Sequence, residues 1–574
     1  MKKKGLTQLE VILCIAVFTI LVFLLTFLGV KLLNNAGKTE NQITQEETVE
    51  QLNRFVSKRV DLKVKSDPIK GTVDLGGSQL EDELPDISKY PYKVKGNGNI
   101  NIEIFSSPEK AGSETSNGND PSTDTWLIDI VQKFNKSNQT INGKSVSVSL
   151  RSVSSGLACD YISSGKYVPD GYSPSNEDWG SMLKAKGVTV NLEAKSLVGN
   201  VAGLVLSKDV YNMLIKNYGA VNISTITEAT ANSEIAMGYT NPYSSSTGLN
   251  FLVSSLYCFD STNPLSDNAI VGFQKFQANV PFVAYNTMQM RNAVDSGSLN
   301  AMIMEYQTYV NTPELRNYTF TPFGARHDNP LYSIGNLSSE KSKAFDLFVD
   351  YATNDASQKS AEKYGFNANK NYVSEIPSSD GNTLLDAQEL WKKQKDNGQE
   401  IVSVFIVDKS GSVDGAPLRE MKDSLINGAQ YINPDNYVGL ISYNDKVTIN
   451  LPIDKFDLNY RAYFNGEVEN LNASGGTATF DAIAVALQMI EEQKVNHPNA
   501  KFMIFVLSDG ESNHGSLKDI SSFIKNLNVP IYTVGYNANI KALQEISSIN
   551  EAASINADTD DIIYKLKSLF NAQM

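Results

Sequence analysis

The chain reads as α/β throughout, set behind one N-terminal apolar helix and ending in a doubly wound parallel sheet with helices on both faces. Three observations carry this reading. An uncharged run from Val11 to Val30 follows Lys2, Lys3 and Lys4. From Asn99 onward, short strands alternate with helical patterns, and serines cluster at the strand ends. In the last third of the chain, the apolar strand Ile401 to Val407 stops at Asp408-Lys409-Ser410-Gly411-Ser412, and two later loops offer the same oxygen chemistry. The order predicts a cytoplasmic leader and transmembrane anchor over 1–31 and a juxtamembrane stalk and linker over 32–97. A first α/β domain follows over 98–375, then a linker over 376–399 and a second domain over 400–574.

The first element is the anchor. About twenty apolar residues cross a bilayer as a helix. The lysine cluster before them predicts the N-terminus inside and everything after Lys31 outside. The run is too long for a signal-peptide core, and Asn34-Asn35-Ala36 is no cleavage site. Cys14 follows Leu13, not the small residue a lipoprotein signal needs. Retention as a signal anchor is the first reading. A second rests on Lys4-Gly5-Leu6-Thr7-Gln8-Leu9-Glu10, which is similar to the leader junction of type IV pilin-like proteins. That resemblance implies cleavage between Gly5 and Leu6, leaving Glu10 fifth in the mature helix. A carboxylate within a membrane helix is costly unless paired, whereas in the signal anchor Glu10 lies among lipid headgroups. Either way the chain is expected to be single-pass in a bacterial cell membrane, with its domains extracellular or periplasmic.

Residues 37–66 are charged, with helical periodicity at Val49, Leu52, Phe55, Val56 and Val60, and read as the stalk. Residues 67–97 carry the Gly and Pro punctuation of a linker or loose strands. The alternating strand Ile100 to Phe105 then ends at Ser106-Ser107, and a helix from Trp126 to Phe134 follows. The strand Val146 to Leu150 ends at Ser152-Val153-Ser154-Ser155-Gly156 before another helix. Ile235 to Thr240 leads into Asn241-Pro242-Tyr243-Ser244-Ser245-Ser246-Thr247-Gly248-Leu249-Asn250. A strand ends at Met304-Glu305-Tyr306, and a helix runs from Glu340 to Tyr351.

This set, over about 98–372, resembles bacterial extracellular solute-binding proteins of the two-lobed, type II periplasmic-binding-protein kind. The Asn-Pro-x-Ser-Ser-Ser-Thr-Gly-x-Asn segment carries most of the resemblance. It implies a ligand between the lobes, held by strand-end loops and helix N-termini, with Ser106, Ser107, Ser154, Ser155, Ser245, Ser246 and Thr247 as candidates. Hydroxyls and free helix N–H groups suit a small polar or anionic solute. The same side chains also fit plain helix N-caps.

A helix from Leu384 to Lys395 is expected in the linker. The last domain then reads strand, helix (417–431), strand (437–442), strand (447–452), helix (480–494), strand (501–507), helix (516–527), strand (531–534) and helix (560–570). Past a strand end, alternate residues of an extended segment project to one side. Asp408, Ser410 and Ser412 therefore present a carboxylate and two hydroxyls to one point. Those are hard ligands for a small cation. Gly475-Gly476-Thr477 opens one helix, and Ser508-Asp509-Gly510 ends another strand. The set Asp408, Ser410, Ser412, Thr477, Asp509 resembles the metal-ion-dependent adhesion site of von Willebrand factor A domains, over about 400–570. The resemblance implies Mg²⁺ or Mn²⁺, with an open coordination position filled by an acidic side chain of a protein partner. Glu511 and His514 lie just beyond as exposed loop charges.

Composition narrows the function further. The 574 residues carry a formal net charge of -14, which argues against nucleic acid. The three cysteines make no disulfide scaffold. Cys159 and Cys258 read as ordinary buried thiols, with a bond between them left open. His327, His497 and His514 make no zinc spacing. No Ser-His-Asp order, phosphate loop or dinucleotide fingerprint is found, and the chain is expected to be a non-catalytic surface protein. The alternatives are a solute receptor and a pilin-like subunit.

Overall fold

The computed structural model describes residues 44–73, 84, 86–112, 124–235, 237–280, 282–284, 290, 300–394, 400–429, 432–510, 512–536, 540–550 and 554–556. The expected membrane span, the Gly5–Leu6 junction, Glu10, Cys14, Glu511 and the terminal helix over 560–570 lie outside them. Among the described residues no helix is long and apolar enough to cross a membrane.

The first described element is a helix, Gln45–Arg59, opened by a capping box in which Thr44 and Glu47 satisfy each other's backbone N–H groups. Strand β1 (Leu62–Val64) follows. Neither belongs to a stalk. Leu52 and Val56 are buried in the core of the C-terminal domain, and β1 pairs in parallel with a strand of that domain through Leu62 and Val447.

The next strands are β2 (Tyr92–Val94), β3 (Ile100–Ser106), β4 (Thr140–Ile141), β5 (Lys144–Ser152), β6 (Gly171–Ser173), β7 (Val190–Ala194), β8 (Asn200–Ser207) and β9 (Met237–Thr240). Then come β10 (Phe282–Ala284), β11 (Ala301–Glu305), β12 (Tyr318–His327) and β13 (Leu331–Ile334). They form two sheets. One has the order β2-β5-β3-β6-β13-β7, with β4 paired to β5; the other has β10-β9-β11-β8-β12. The chain crosses between the two lobes at Val198-Gly199-Asn200 and again at His327-Asp328-Asn329. One buried cluster, from Phe105 and Tyr172 to Leu252 and Phe323, continues through both lobes.

The helix Gly381–Gln394, expected in a linker, is a core element of this unit. Leu384 and Trp391 are fully buried. Trp391 Nε1 donates to the Tyr239 hydroxyl at 2.7 Å, and Gln388 Nε2 donates to the Pro242 carbonyl at 2.8 Å, both in the second lobe. On the first lobe, a Cβ added at Gly381 would lie 2.1 Å from the Ser181 carbonyl oxygen, so the helix needs glycine there to approach. The helix straddles both lobes.

The last strands are β14 (Ile401–Asp408), β15 (Tyr437–Tyr443), β16 (Val447–Lys455), β17 (Lys501–Ser508), β18 (Ile531–Gly535) and β19 (Ser554–Asn556). Their sheet has the order β1-β16-β15-β14-β17-β18-β19. β15, β14, β17, β18 and β19 run parallel, and β16 is antiparallel to β15. Central strands β14 and β17 are apolar on both faces because helices cover both, as parallel sheets require. The helix Leu458–Glu469, which the sequence reading missed, packs Phe464 against Phe405. Its pattern was obscured by Asn, Gly and Glu at buried positions: Asn465, Gly466 and Glu467 all face inward.

Glu467 explains why. Its side chain is 1% exposed and accepts from Lys65 Nζ at 2.6 Å and 2.9 Å, Ile69 N at 2.6 Å and Asn450 Nδ2 at 2.9 Å. The segment after β1 is thereby stitched down the helix, with Gly71 N on the Ala462 carbonyl and Asn465 Nδ2 on the Thr72 carbonyl. The C-terminal domain is therefore built from two stretches, 44–73 and 400–556, with the two-lobed unit inserted between them.

Candidate metal centre and interlobe cleft

The three loops named from the sequence meet at the C-terminal edge of β14 and β17, where open α/β sheets place ligands. Asp408 ends β14, fully buried. One carboxylate oxygen accepts from the Ser410 backbone N–H at 2.8 Å. The other accepts from the Tyr443 hydroxyl at 3.0 Å and the Ser508 hydroxyl at 2.7 Å. Thr479 Oγ1 in turn donates to the Tyr443 oxygen at 3.1 Å. Tyr443, Ser508 and Thr479 were missed in the sequence reading. They orient the carboxylate, and only Ser508, beside Asp509, carried any signal. Burial pushes the Asp408 carboxyl up, the Ser410 and Ser508 hydrogen bonds oppose this, and the Asp509 charge adds to it.

Ser410 is buried and Ser412 exposed, with their hydroxyl oxygens 2.9 Å apart. Adjacent corners of a Mg²⁺ octahedron with ligands at about 2.1 Å are about 3.0 Å apart, so the pair has the span of two neighbouring ligands. The Thr477 loop is tied to it: Gly411 N donates to the Gly475 carbonyl at 3.0 Å, and Ser474 N to the Lys409 carbonyl at 2.9 Å. Thr477 N donates to Asn513 Oδ1 at 2.8 Å, and the Thr477 carbonyl accepts from Asn513 N at 3.1 Å and His514 N at 3.3 Å. Thr477 and Asp509 are 5% and 6% exposed, so both lie just under the surface. Asp445 lies against the double glycine. A Cβ at Gly475 would stand 2.2 Å from one of its carboxylate oxygens, and one at Gly476 2.5 Å from the other. His514 Nε2 is 3.6 Å from Asp445. Among the described residues no three His, Cys, Asp or Glu side chains form a metal-ligating group. A cation here depends on hydroxyls beside the Asp408 and Asp509 carboxylates, a set of hard oxygens suited to Mg²⁺ or Mn²⁺.

The seven cleft candidates divide between the lobes: Ser106, Ser107, Ser154 and Ser155 on the first, Ser245, Ser246 and Thr247 on the second. All are buried, and five of them bond to protein groups in ways that join or brace the lobes. Ser246 Oγ donates to Ser155 Oγ at 3.1 Å and accepts from Trp179 Nε1 at 2.9 Å. Gly156 N donates to the Ser244 carbonyl at 3.2 Å across the same junction. Ser245 caps its helix through Gly248 N. Ser107 Oγ accepts from the fully buried Lys110 Nζ at 2.7 Å. Thr247 Oγ1 donates to Glu305 at 3.4 Å. Ser106 and Ser154 sit at strand and helix ends beside them.

Charged groups missed by the sequence reading lie behind this layer. Lys110 Nζ also donates to the carbonyls of Ser173 at 2.9 Å and Pro174 at 3.5 Å. Burial pulls Lys110 down and pushes Glu109 up, with Glu305 repelling Glu109. Glu305 is fully buried and accepts from Asn200 Nδ2 at 2.7 Å and His327 Nδ1 at 2.8 Å. Cys159 is buried and Cys258 exposed, and both are free thiols.

Comparison with known proteins matches this division. Residues 404–571 match the von Willebrand factor type A domain, and residues 120–367 match the bacterial extracellular solute-binding protein family. A Synechocystis protein, sll0103, is 27% identical over 139 residues, which cover 23% of this chain and 31% of that one. The chain spans less than a third of the length of the curated relatives it matches. A von Willebrand factor type A structure from Catenulispora acidiphila aligns over 30% of this chain and 42% of that one, at 20% identity and TM-score 0.27. The sulfate-binding protein SubI of Mycobacterium tuberculosis aligns over 51% of this chain and 91% of that one, at 15% identity and TM-score 0.34.

Proposed function

We propose that this chain, which joins a von Willebrand factor type A domain to a bacterial solute-binding domain, is a non-catalytic bacterial surface protein. It is anchored by its N-terminal helix, with both domains outside the membrane. Its A domain docks a protein partner through Mg²⁺ or Mn²⁺ held by Ser410, Ser412 and Thr477, with Asp408 and Asp509 supplying charge. The bound ion would supply a Lewis-acidic point that accepts a carboxylate from the partner. Asp408 orients Ser410 through the backbone N–H, and Tyr443 and Ser508 fix the carboxylate. The observation that carries the reading is the 2.9 Å Ser410–Ser412 hydroxyl pair beside two carboxylates on one sheet edge.

The edge is also accessible. The helix Gln45–Arg59 runs antiparallel to Leu517–Leu527: Arg59 lies 3.6 Å from Asp519 at one end, and Asn526 Nδ2 reaches Thr48 Oγ1 at 3.2 Å at the other. Leu517–Leu527 starts at the Asp408 edge, so Thr44 lies at the opposite edge. The two-lobed insert returns there too, at Ile401. The metal edge is thus opposite the end of the domain that carries Thr44 and Ile401.

Calorimetry of the full chain tests this. A ligand at about 100 times its Kd adds roughly 2.7 kcal/mol. Millimolar Mg²⁺ should raise the A-domain transition over EDTA, and Ser412→Ala or Asp408→Ala should abolish the rise. Equal melting in Mg²⁺ and EDTA refutes the metal site. Protease treatment of intact cells should remove both domains; protection until lysis refutes the topology.

A second reading belongs to the two-lobed domain: it is a receptor for a small solute. A cavity of about 220 Å³ at the hinge favours it.

A further inference from the structure

The hinge cavity has a chemistry opposite to the one the serine-rich loops suggest. Its walls come from both lobes and from the strap that follows Tyr372, and include Glu177, Asp178, Arg326, Asp328, Ser374 and Ser378. At about 220 Å³ it is smaller than the roughly 300 Å³ at which drug-sized pockets begin, so it suits a small solute.

Its arginine is engaged. Arg326 grips both oxygens of Asp328 at 2.9 to 3.1 Å, and Nη1 donates to the Asn369 and Tyr372 carbonyls at 3.0 and 3.2 Å. Lys195 also lines the cavity and is exposed to solvent. His327 lies behind the wall. The Asn250 amide is oriented by Ala325, whose N–H donates to Oδ1 and whose carbonyl accepts from Nδ2, so Nδ2 faces His327 Nε2 at 3.0 Å and Nδ1 carries the ring proton toward Glu305.

Its Asp178 has an open acceptor, and Asn176 lies behind it, outside the lining. Asp178 is 9% exposed; one oxygen accepts from Asn176 Nδ2 at 2.9 Å, and the other has no hydrogen bond. Asn176 is fully buried, and its own Oδ1 has no partner. Buried acceptors left unpaired cost about 1–3 kcal/mol each, more when charged. An anion would add charge beside Glu177 and Asp178 and find few free donors, whereas an ammonium group brings three donors and the opposite sign.

We propose that this hinge cavity takes a small solute bearing a protonated primary amine, gripped by the Asp178 carboxylate. The proposal rests on the reading of the two-lobed domain as a solute receptor and assigns the ligand class of that domain. Burial also pushes the Asp178 carboxyl up to about 6, with His327 opposing the rise and Glu177 adding to it, so at neutral pH it is an ionised group.

The test is thermal melting of the full chain with primary amines (ethanolamine, 1,4-diaminobutane, lysine), matched carboxylates, sulfate and Ca²⁺, each up to about 10 mM, well above a millimolar Kd. At least one amine should give saturable stabilisation of the two-lobed transition, weakened at least tenfold in apparent affinity by Asp178→Asn. Glu177→Gln, at an exposed position, is the milder control. Stabilisation by sulfate or a carboxylate alone overturns the amine assignment and keeps the receptor. Ca²⁺ stabilisation that depends on Asp178 overturns it in favour of a metal. No stabilisation by any solute overturns both.

Discussion

Replacing Lys65 by Met should unfasten the N-terminal segment from the A domain. Glu467, 1% exposed, holds four hydrogen bonds, two of them from Lys65 Nζ, whose side chain is 27% exposed. Removing one partner of a buried pair typically costs about 3–5 kcal/mol, because the remaining charge is stranded. Ile69 N and Asn450 Nδ2 stay to solvate Glu467, and Lys65 is partly hydrated already, so the low end, about 3 kcal/mol, applies. At about 2–4 °C per kcal/mol for a domain of this size, the A-domain transition should fall by about 6–12 °C. Scanning calorimetry of the full chain reads it directly. Lys65→Met with Glu467→Gln should recover more than half, because the double variant strands no charge. A shift below about 1 °C, or a shift of the two-lobed transition instead, would refute the placement of residues 62–72 on this domain.

Three further outcomes follow. Leu52→Ala empties a fully buried site and should lower the same transition by about 2–5 kcal/mol, a loss no stalk residue would show. Gly156→Ala places a Cβ 1.9 Å from the Tyr243 carbonyl oxygen on the other lobe, so the lobes should part; small-angle scattering should show a larger radius of gyration, and an unchanged profile counts against the closed junction. Asp178 has its folded carboxyl raised from 3.8 to about 6, so the native state binds the extra proton between those values and loses stability as pH rises through them. The cost at pH 7 is on the order of 3 kcal/mol, and Asp178→Asn should raise melting there while flattening the slope between about pH 4 and 6.

The strands and most helices were legible because their periodicity is strong: β14 and β17 are uninterrupted apolar runs, and the Asp408, Thr477 and Asp509 loops stand at the ends of elements that fall within a few residues of their expected bounds. The allegiance of 44–73 was not legible. Leu52 and Val56 announce an amphipathic helix but not which domain covers it, and β1 is three residues with every side chain exposed. The helix Gly381–Gln394 was found but misjudged, since Trp391 and Gln388 look like linker residues until Tyr239 and Pro242 appear beside them. In the cleft, serines suggested anion recognition. What reverses it, Asp178 and Asn176 with open acceptors, depends on which donors are already taken, and sequence carries no record of that.

The split of the A domain has a consequence for biosynthesis. The helix Gln45–Arg59 and β1 leave the ribosome long before Ile401, and their pairing strand Val447 follows later still. Until then Leu52 and Val56 have no core to enter, and the segment waits as a sticky amphipathic helix. The two-lobed unit is complete by Gln394, so it can fold before the sheet that joins the two stretches exists. Closing that gap as an unfolded chain would carry the loop-entropy cost of several hundred residues. A folded insert shortens that gap. Folding of the Asp408 edge is thus coupled to an upstream domain with which it shares no strand, and destabilised two-lobed variants should carry an A domain that is late to fold and protease-sensitive.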